Sequence, residues 1–223
     1  MMRLKIFTGL LLMVLFLTSC ENEPYDTGDG ALSHLTTVFG EADYDGEGRA
    51  YRFTTDADKQ LMFTSPLGDP DPHLCDATKR MLLYYNITGD ESMADPVMLV
   101  NVLTANVMDR DSLKSVPDDP VKVESVWLGE NKKYLNLSLM IKTSMPDDKD
   151  LKHKLGAVYE GSEDGVASVR FLHDDGNIPG NYSVRCYFSI PVRSFATKVS
   201  ECRGVSISIN TYEGMRCFEL DLN

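Results

Sequence analysis

Clustered metal-binding side chains are what this chain most lacks. Its 223 residues hold five cysteines, four histidines and one tryptophan. No two cysteines stand at CxxC spacing and no histidines cluster in sequence, so nothing points to a zinc site. Cationic residues are also scarce. Against 34 Asp and Glu there are 22 Lys and Arg, a net charge of −12. Such a chain repels a phosphate backbone, which sets nucleic acid aside as a partner. No segment keeps a helical period, and no repeat of solenoid length recurs. Gly161-Ser162-Glu163-Asp164-Gly165 puts a serine between glycines without the G-x-S-x-G spacing of a hydrolase elbow. Asp174-Asp175-Gly176-Asn177 is rich in oxygen ligands. It lacks the spacing and the closing glutamate of an EF-hand, so it reads as a solvated turn. No metal, cofactor or catalytic constellation is expected.

The N-terminus is the most informative segment present. Arg3 and Lys5 precede an apolar run from Ile6 to Leu17, and Leu17-Thr18-Ser19-Cys20 closes it. The order is that of a secretory signal, and the run falls short of the about 20 residues of a membrane span. The last four residues resemble the lipobox of bacterial lipoproteins, in which the cysteine thiol receives a diacylglyceryl group before cleavage in front of it. An ordinary signal followed by a chance cysteine is the alternative. Residues 1–19 are thus expected to be removed and Cys20 to carry the lipid. That leaves 204 residues, and the loss of two positive charges takes the net charge to −14. Several acyl chains anchor stably where one alone would not. The expected location is the cell envelope, as an outer-membrane lipoprotein with surface display left open. Residues 20–30 form a polar tether with Glu21, Glu23, Asp26 and Asp29. Its acidic start resembles the export signal of surface lipoproteins in the Bacteroidetes. Cys75, Cys186, Cys202 and Cys217 remain, and an exported compartment permits disulfides between them. Their three full pairings stay open. Cys186, on the apolar side of its strand, has the pattern of a buried free thiol.

From residue 31 the chain reads as strands. Met81, Leu83, Tyr85 and Ile87 share one face, opposite Arg80, Tyr84 and Asn86. A polar stretch follows, and a domain boundary is placed there. Beyond it the alternation is cleaner: Leu135 to Ile141, Val169 with Phe171, Tyr182 to Val192, Val205 to Ile209 and Phe218 to Leu222. Asn210 and Gly214 bracket the turn of a final hairpin. Strands with one apolar face each imply two packed sheets. The fold class is all-β, with domains at 31–108 and 120–223 joined by a linker at 109–119.

Particular segments resemble the NigD-like lipoprotein family of Bacteroidetes. They are Asp119-Pro120-Val121, Ser125-Val126-Trp127-Leu128-Gly129, Tyr134-Leu135-Asn136, Phe171-Leu172-His173-Asp174, Phe188-Ser189-Ile190-Pro191 and Glu213-Gly214. In the first half, Lys79-Arg80-Met81-Leu82-Leu83-Tyr84-Tyr85 is similar to that family's central strand. The resemblance implies an N-terminal OB-like barrel followed by a C-terminal antiparallel β-sandwich. It implies no activity.

Among candidate sites, His153, His173 and the adjacent Asp174 and Asp175 form the best chemical cluster. An OB-like barrel can bind oligosaccharides, and Tyr84 and Tyr51 are the aromatics that could stack on a sugar there. Asp111-Ser112-Leu113 resembles the sequence at which Bacteroidetes O-glycosylate exported proteins, which makes Ser112 a modification candidate. The leading expectation is a lipid-anchored envelope protein, not an enzyme, that binds a glycan or another envelope protein. The alternative is an envelope hydrolase built from His153 or His173 and a nearby carboxylate.

Overall fold

Small residues on the first strand hide a barrel from the hydropathy pattern. The computed structural model describes residues 35–68, 77–145 and 151–223. The signal segment, Cys20, the tether, the prolines at 70 and 72 and Cys75 fall outside the described residues. The barrel strands are β1 (Thr36–Tyr44), β2 (Arg49–Thr55), β3 (Gln60–Gly68), β4 (Thr78–Ile87) and β5 (Met93–Asn101). They close in the order β1-β2-β3-β5-β4, with β4 returning to pair with β1. This is the circuit of an OB-like barrel. Phe53, Leu61, Met81, Leu83 and Leu99 fill it. On β1 the inward positions are Val38, Gly40, Ala42 and Tyr44, and the glycine and alanine at its centre interrupt the large apolar residues that would announce a strand. Gly40 must be small: a Cβ there would lie 2.2 Å from the Thr54 carbonyl oxygen and 2.4 Å from the Phe53 ring.

The sandwich is built from β6 (Leu103–Thr104), β7 (Met108–Asp109), β8 (Lys122–Leu128), β9 (Tyr134–Thr143), β10 (Lys154–Glu163), β11 (Val166–Asp174), β12 (Tyr182–Pro191), β13 (Gly204–Thr211) and β14 (Gly214–Asp221). One sheet runs β14-β13-β11-β10-β7 and the other β6-β12-β9-β8. Leu135, Leu137, Leu139 and Ile141 of β9, with Phe188 and Ile190 of β12, pack against Val169, Phe171, Ile207 and Ile209. Hairpin neighbours are antiparallel, and β13–β14 is the expected hairpin. The β11–β13 pair is parallel instead, because β12 crosses to the other sheet before β13 returns beside β11. After β12 a single helical turn, α1 (Arg193–Ala196), buries Phe195.

Two short strands near the end of the first segment belong to the sandwich sheets. Leu103–Thr104 pairs with β12 and Met108–Asp109 with β10, so both are sandwich edges. These pieces are two residues long and their partners are distant, which leaves no alternation to detect. The stretch 109–119 then lies along the sandwich. Asp118 bridges to His173, and the Asp119 N–H donates to the His173 carbonyl at 2.9 Å.

Candidate functional site

Barrel and sandwich are joined by a buried polar seam. The outward face of β1 carries Phe39 and Glu41, and the outward face of β4 carries Arg80. They dock on the outer face of the β6-β12-β9-β8 sheet. Phe39 meets Trp127 and Tyr187 edge-on, at centroid distances of 5.2 and 5.3 Å. The Arg80 side chain is 3% exposed. Its Nη1 and Nη2 grip both carboxylate oxygens of Asp56, from the β2–β3 turn, the Nη2 bond at 2.7 Å. Nη2 also donates to Asn136 Oδ1 at 3.0 Å, and Nε donates to Ser189 Oγ at 3.4 Å. The Ser189 hydroxyl donates in turn to Asn136 at 2.7 Å. The Tyr134 ring covers the guanidinium at 4.2 Å, a cation–π contact strengthened by the burial of the charge. A buried charge is tolerated when pairing and hydrogen bonds satisfy it, as here. Asn136 and Ser189 stand on the polar side of their strands, which reads as a solvent face in the sequence. The barrel covers it.

A cleft of about 710 Å³ opens beside the seam. Its floor is Pro191, Val192 and Ala196, and Tyr134 with Glu41 forms one wall. The Tyr134 hydroxyl donates to Glu41 Oε1 at 2.6 Å. Burial first, and then this bond to a carboxylate, push the phenol up to about 12. Three cations stand at the rim. Lys133 pairs with Asp58 at 2.7 Å, and Lys132 donates to the Asn223 carbonyl. Arg193, from α1, has no acceptor for its guanidinium among the described residues. A second cleft of about 360 Å³, lined by Thr78, Asn101 and Thr104 among others, lies across the Glu41–Tyr134 pair, which lines both. Neither cleft was visible in the sequence, since β1, the β8–β9 turn and α1 build the first from positions far apart in the chain.

The structure does bring His153 and His173 together, on adjoining elements. Their rings stack at 5.2 Å, and His153 Nδ1 lies 3.0 Å from His173 Nε2. The Asp119 carbonyl can only accept, so His173 Nδ1, at 3.2 Å, carries the proton. His173 Nε2 is then the acceptor, His153 Nδ1 donates to it, and the Thr143 hydroxyl donates to His153 Nε2 at 3.2 Å. Every group in this row has its partner. His173 is 3% exposed. Burial, with His153 beside it, holds the imidazole below its usual value against the opposing pull of the Asp119 carbonyl. Carboxylate oxygens of Asp119, Asp174 and Asp175 lie within 4.8 Å of one another. They are engaged in shaping the turn: Asp119 accepts from the Asp175 N–H at 2.8 Å, and Asp174 accepts from Gly176 and from Lys154. Neither histidine lines either of the seam clefts.

The other sequence candidates are scattered. Tyr84 is opposite Thr37 of β1 and Met98 of β5. Tyr51 sits beside Arg52, whose guanidinium lies 5.7 Å from its ring centroid, at the Asp43 end of β1. The two tyrosines are thus about 20 Å apart along β1, given ~3.3 Å per residue, and form no common platform. Ser112 is exposed in a 3-10 turn, its hydroxyl donating to the Asp109 carbonyl at 2.6 Å. Cys186, Cys202 and Cys217 are free thiols, and burial raises Cys186 to about 11. No helix among the described residues is long and apolar enough to cross a membrane.

Residues 104–222 match the model of the NigD-like C-terminal beta sandwich domain. The fold is similar to a NigD-like immunity protein from Bacteroides caccae, 19% identical over 84% of this chain and 97% of that one, with a TM-score of 0.65. It is also similar to a protein of unknown function from Bacteroides vulgatus, 16% identical over 84% and 92% of the two chains, TM-score 0.62. A candidate lipoprotein from Bacteroides fragilis is 11% identical over 84% and 98%, TM-score 0.56. No curated protein matches the chain.

Proposed function

The chain belongs to the NigD-like family, and from that premise we propose that it is a lipid-anchored cell-envelope protein that works by binding, without catalysis. The anchor is Cys20, and the outer membrane is the membrane that holds it. The binding site is the cleft beside the Arg80 seam. The observation that carries this reading is the cleft's chemistry: an apolar floor, a cationic rim and a lining without serine, cysteine or histidine. A rigid seam suits binding, since a preorganised site loses less entropy on association. The hydrolase alternative has less support. The paired histidines are satisfied by one another, by Thr143 and by Asp119, and they stand away from both seam clefts. Exposed Ser112 remains a candidate for O-glycosylation on this reading.

Two experiments test the proposal. Cys20→Ser should move the protein from the membrane to the soluble fraction, and unchanged retention would sink the anchor. A photo-crosslinking residue at Thr197, in the cleft, should capture envelope material that the same residue at Tyr212, on the β13–β14 turn, does not. Equal capture at both positions would remove the cleft from the reading.

A further inference from the structure

We infer that the seam cleft receives an acidic, partly apolar peptide segment of a partner protein; this rests on the cleft being the binding site. Charge is the first argument. In a chain of net charge −12, the cleft gathers Lys132, Lys133 and Arg193, with Glu41 as its lone carboxylate. Glu41 is already held by the Tyr134 hydroxyl and Lys133 by Asp58, so Arg193, and Lys132 with a backbone carbonyl as its partner, are the cations left to meet a ligand. A carboxylate on Arg193 gains a planar, two-pronged donor.

The floor supplies the second argument. Val192 and Pro191 are buried at the end of β12, and Ala196 follows on α1, so an apolar side chain beside that carboxylate would cover them. A glycan fits less well. Sugars need many neutral hydrogen-bonding partners and an open aromatic face. Among the lining residues Thr197 is the one neutral aliphatic hydroxyl, and the one aromatic ring, Tyr134, is covered by Arg80 at 4.2 Å. An acidic peptide uses what is present: cations for its carboxylates and an apolar floor between them.

The test uses the full mature chain and two capped tetrapeptides, Glu-Leu-Glu-Leu and its Gln-Leu-Gln-Leu counterpart, with tri-galacturonate as an acidic sugar. Amide shifts are followed by NMR. The acidic peptide is expected to shift Lys133, Val192, Arg193 and Thr197 saturably. The dissociation constant should rise about tenfold in Lys132→Gln/Arg193→Gln, the effect of losing two surface ion pairs, and the neutral peptide should be inert. Equal binding of both peptides, or no change in the double variant, overturns the inference. Tri-galacturonate binding at the cleft without the peptide overturns the ligand class and leaves the cleft as the site. Failure of all three probes, together with crosslinking that favours no position, overturns both.

Discussion

Arg80 and Asn136 are separated by 56 positions in the chain and meet at 3.0 Å, a deeply buried cation of the barrel donating to an amide of the sandwich. The contact welds two folds that the sequence presents as separate domains. Removing one partner of a buried ion pair leaves an uncompensated charge, at about 3–5 kcal/mol. Asp56→Ala should therefore cost about that much in urea denaturation. Arg80→Met combined with Asp56→Leu should cost less than either single change predicts, since no charge is then left unpaired. Single-variant losses below about 1 kcal/mol would mean the pair does not hold the seam.

Gly129 reports on the same carboxylate from the other side. A Cβ there would lie 2.7 Å from Asp56 Oδ2 and 2.9 Å from its Cγ. Gly129→Ala should destabilise by about 1–3 kcal/mol through overpacking. Since the obstacle is the Asp56 side chain itself, the penalty should largely vanish in an Asp56→Ala background. Thermal melts of the two singles and the double check this; additive losses would refute it.

The His153–His173 pair makes stability depend on acid. A proton added at His173 Nε2 would meet the N–H of His153 head to head across 3.0 Å. His173 is faced by His153, which opposes its charge, and by Asp119 and Asp175, which favour it; burial decides, and the folded-state value lies below the usual 6.5. The unfolded chain therefore binds the proton first, and stability is lost as pH falls from 6.5 toward the lowered value. Urea midpoints measured between pH 7.5 and 5 should decline in the wild type and decline less in His173→Gln. Parallel slopes would place the acid sensitivity elsewhere.

The strands with large alternating residues were legible in the sequence: β4, β9, β11, β12 and the β13–β14 hairpin all stand where Leu, Val, Ile and Phe recur at every second position. β1 was not, because its centre carries Gly40 and Ala42, and the Phe53 ring of the neighbouring strand leaves no room for a side chain at Gly40. The short edges at Leu103 and Met108 were hidden for a related reason, since they gain their identity from partners more than forty residues away (β12 and β10). His153 and His173 were correctly paired as neighbours, though they turn out to serve each other. The seam stayed hidden because Asn136 and Ser189 look like any solvent-facing strand residues. Their one sequence trace is Arg80, a charge directly before the apolar run Met81-Leu82-Leu83.

Tyr134 ties the seam to the cleft, and its two contacts can be separated by substitution. Tyr134→Phe keeps the ring over Arg80 and loses the bond to Glu41. The cost at neutral pH should be about 1.5–3 kcal/mol, that of a hydrogen bond to a charged group. Tyr134→Ala loses the cation–π contact as well, adding about 1 kcal/mol, since the guanidinium is buried while the ring borders both clefts. Alkali distinguishes them further. The folded phenol is raised from 10.0 to about 12, so the unfolded chain ionises first and stability falls as pH rises through that interval. Tyr134→Phe has no such group, so the loss of stability between pH 10 and 12 should be shallower than in the wild type. Identical alkaline slopes would show the phenol to be open to solvent and the wall between the two clefts to be loose.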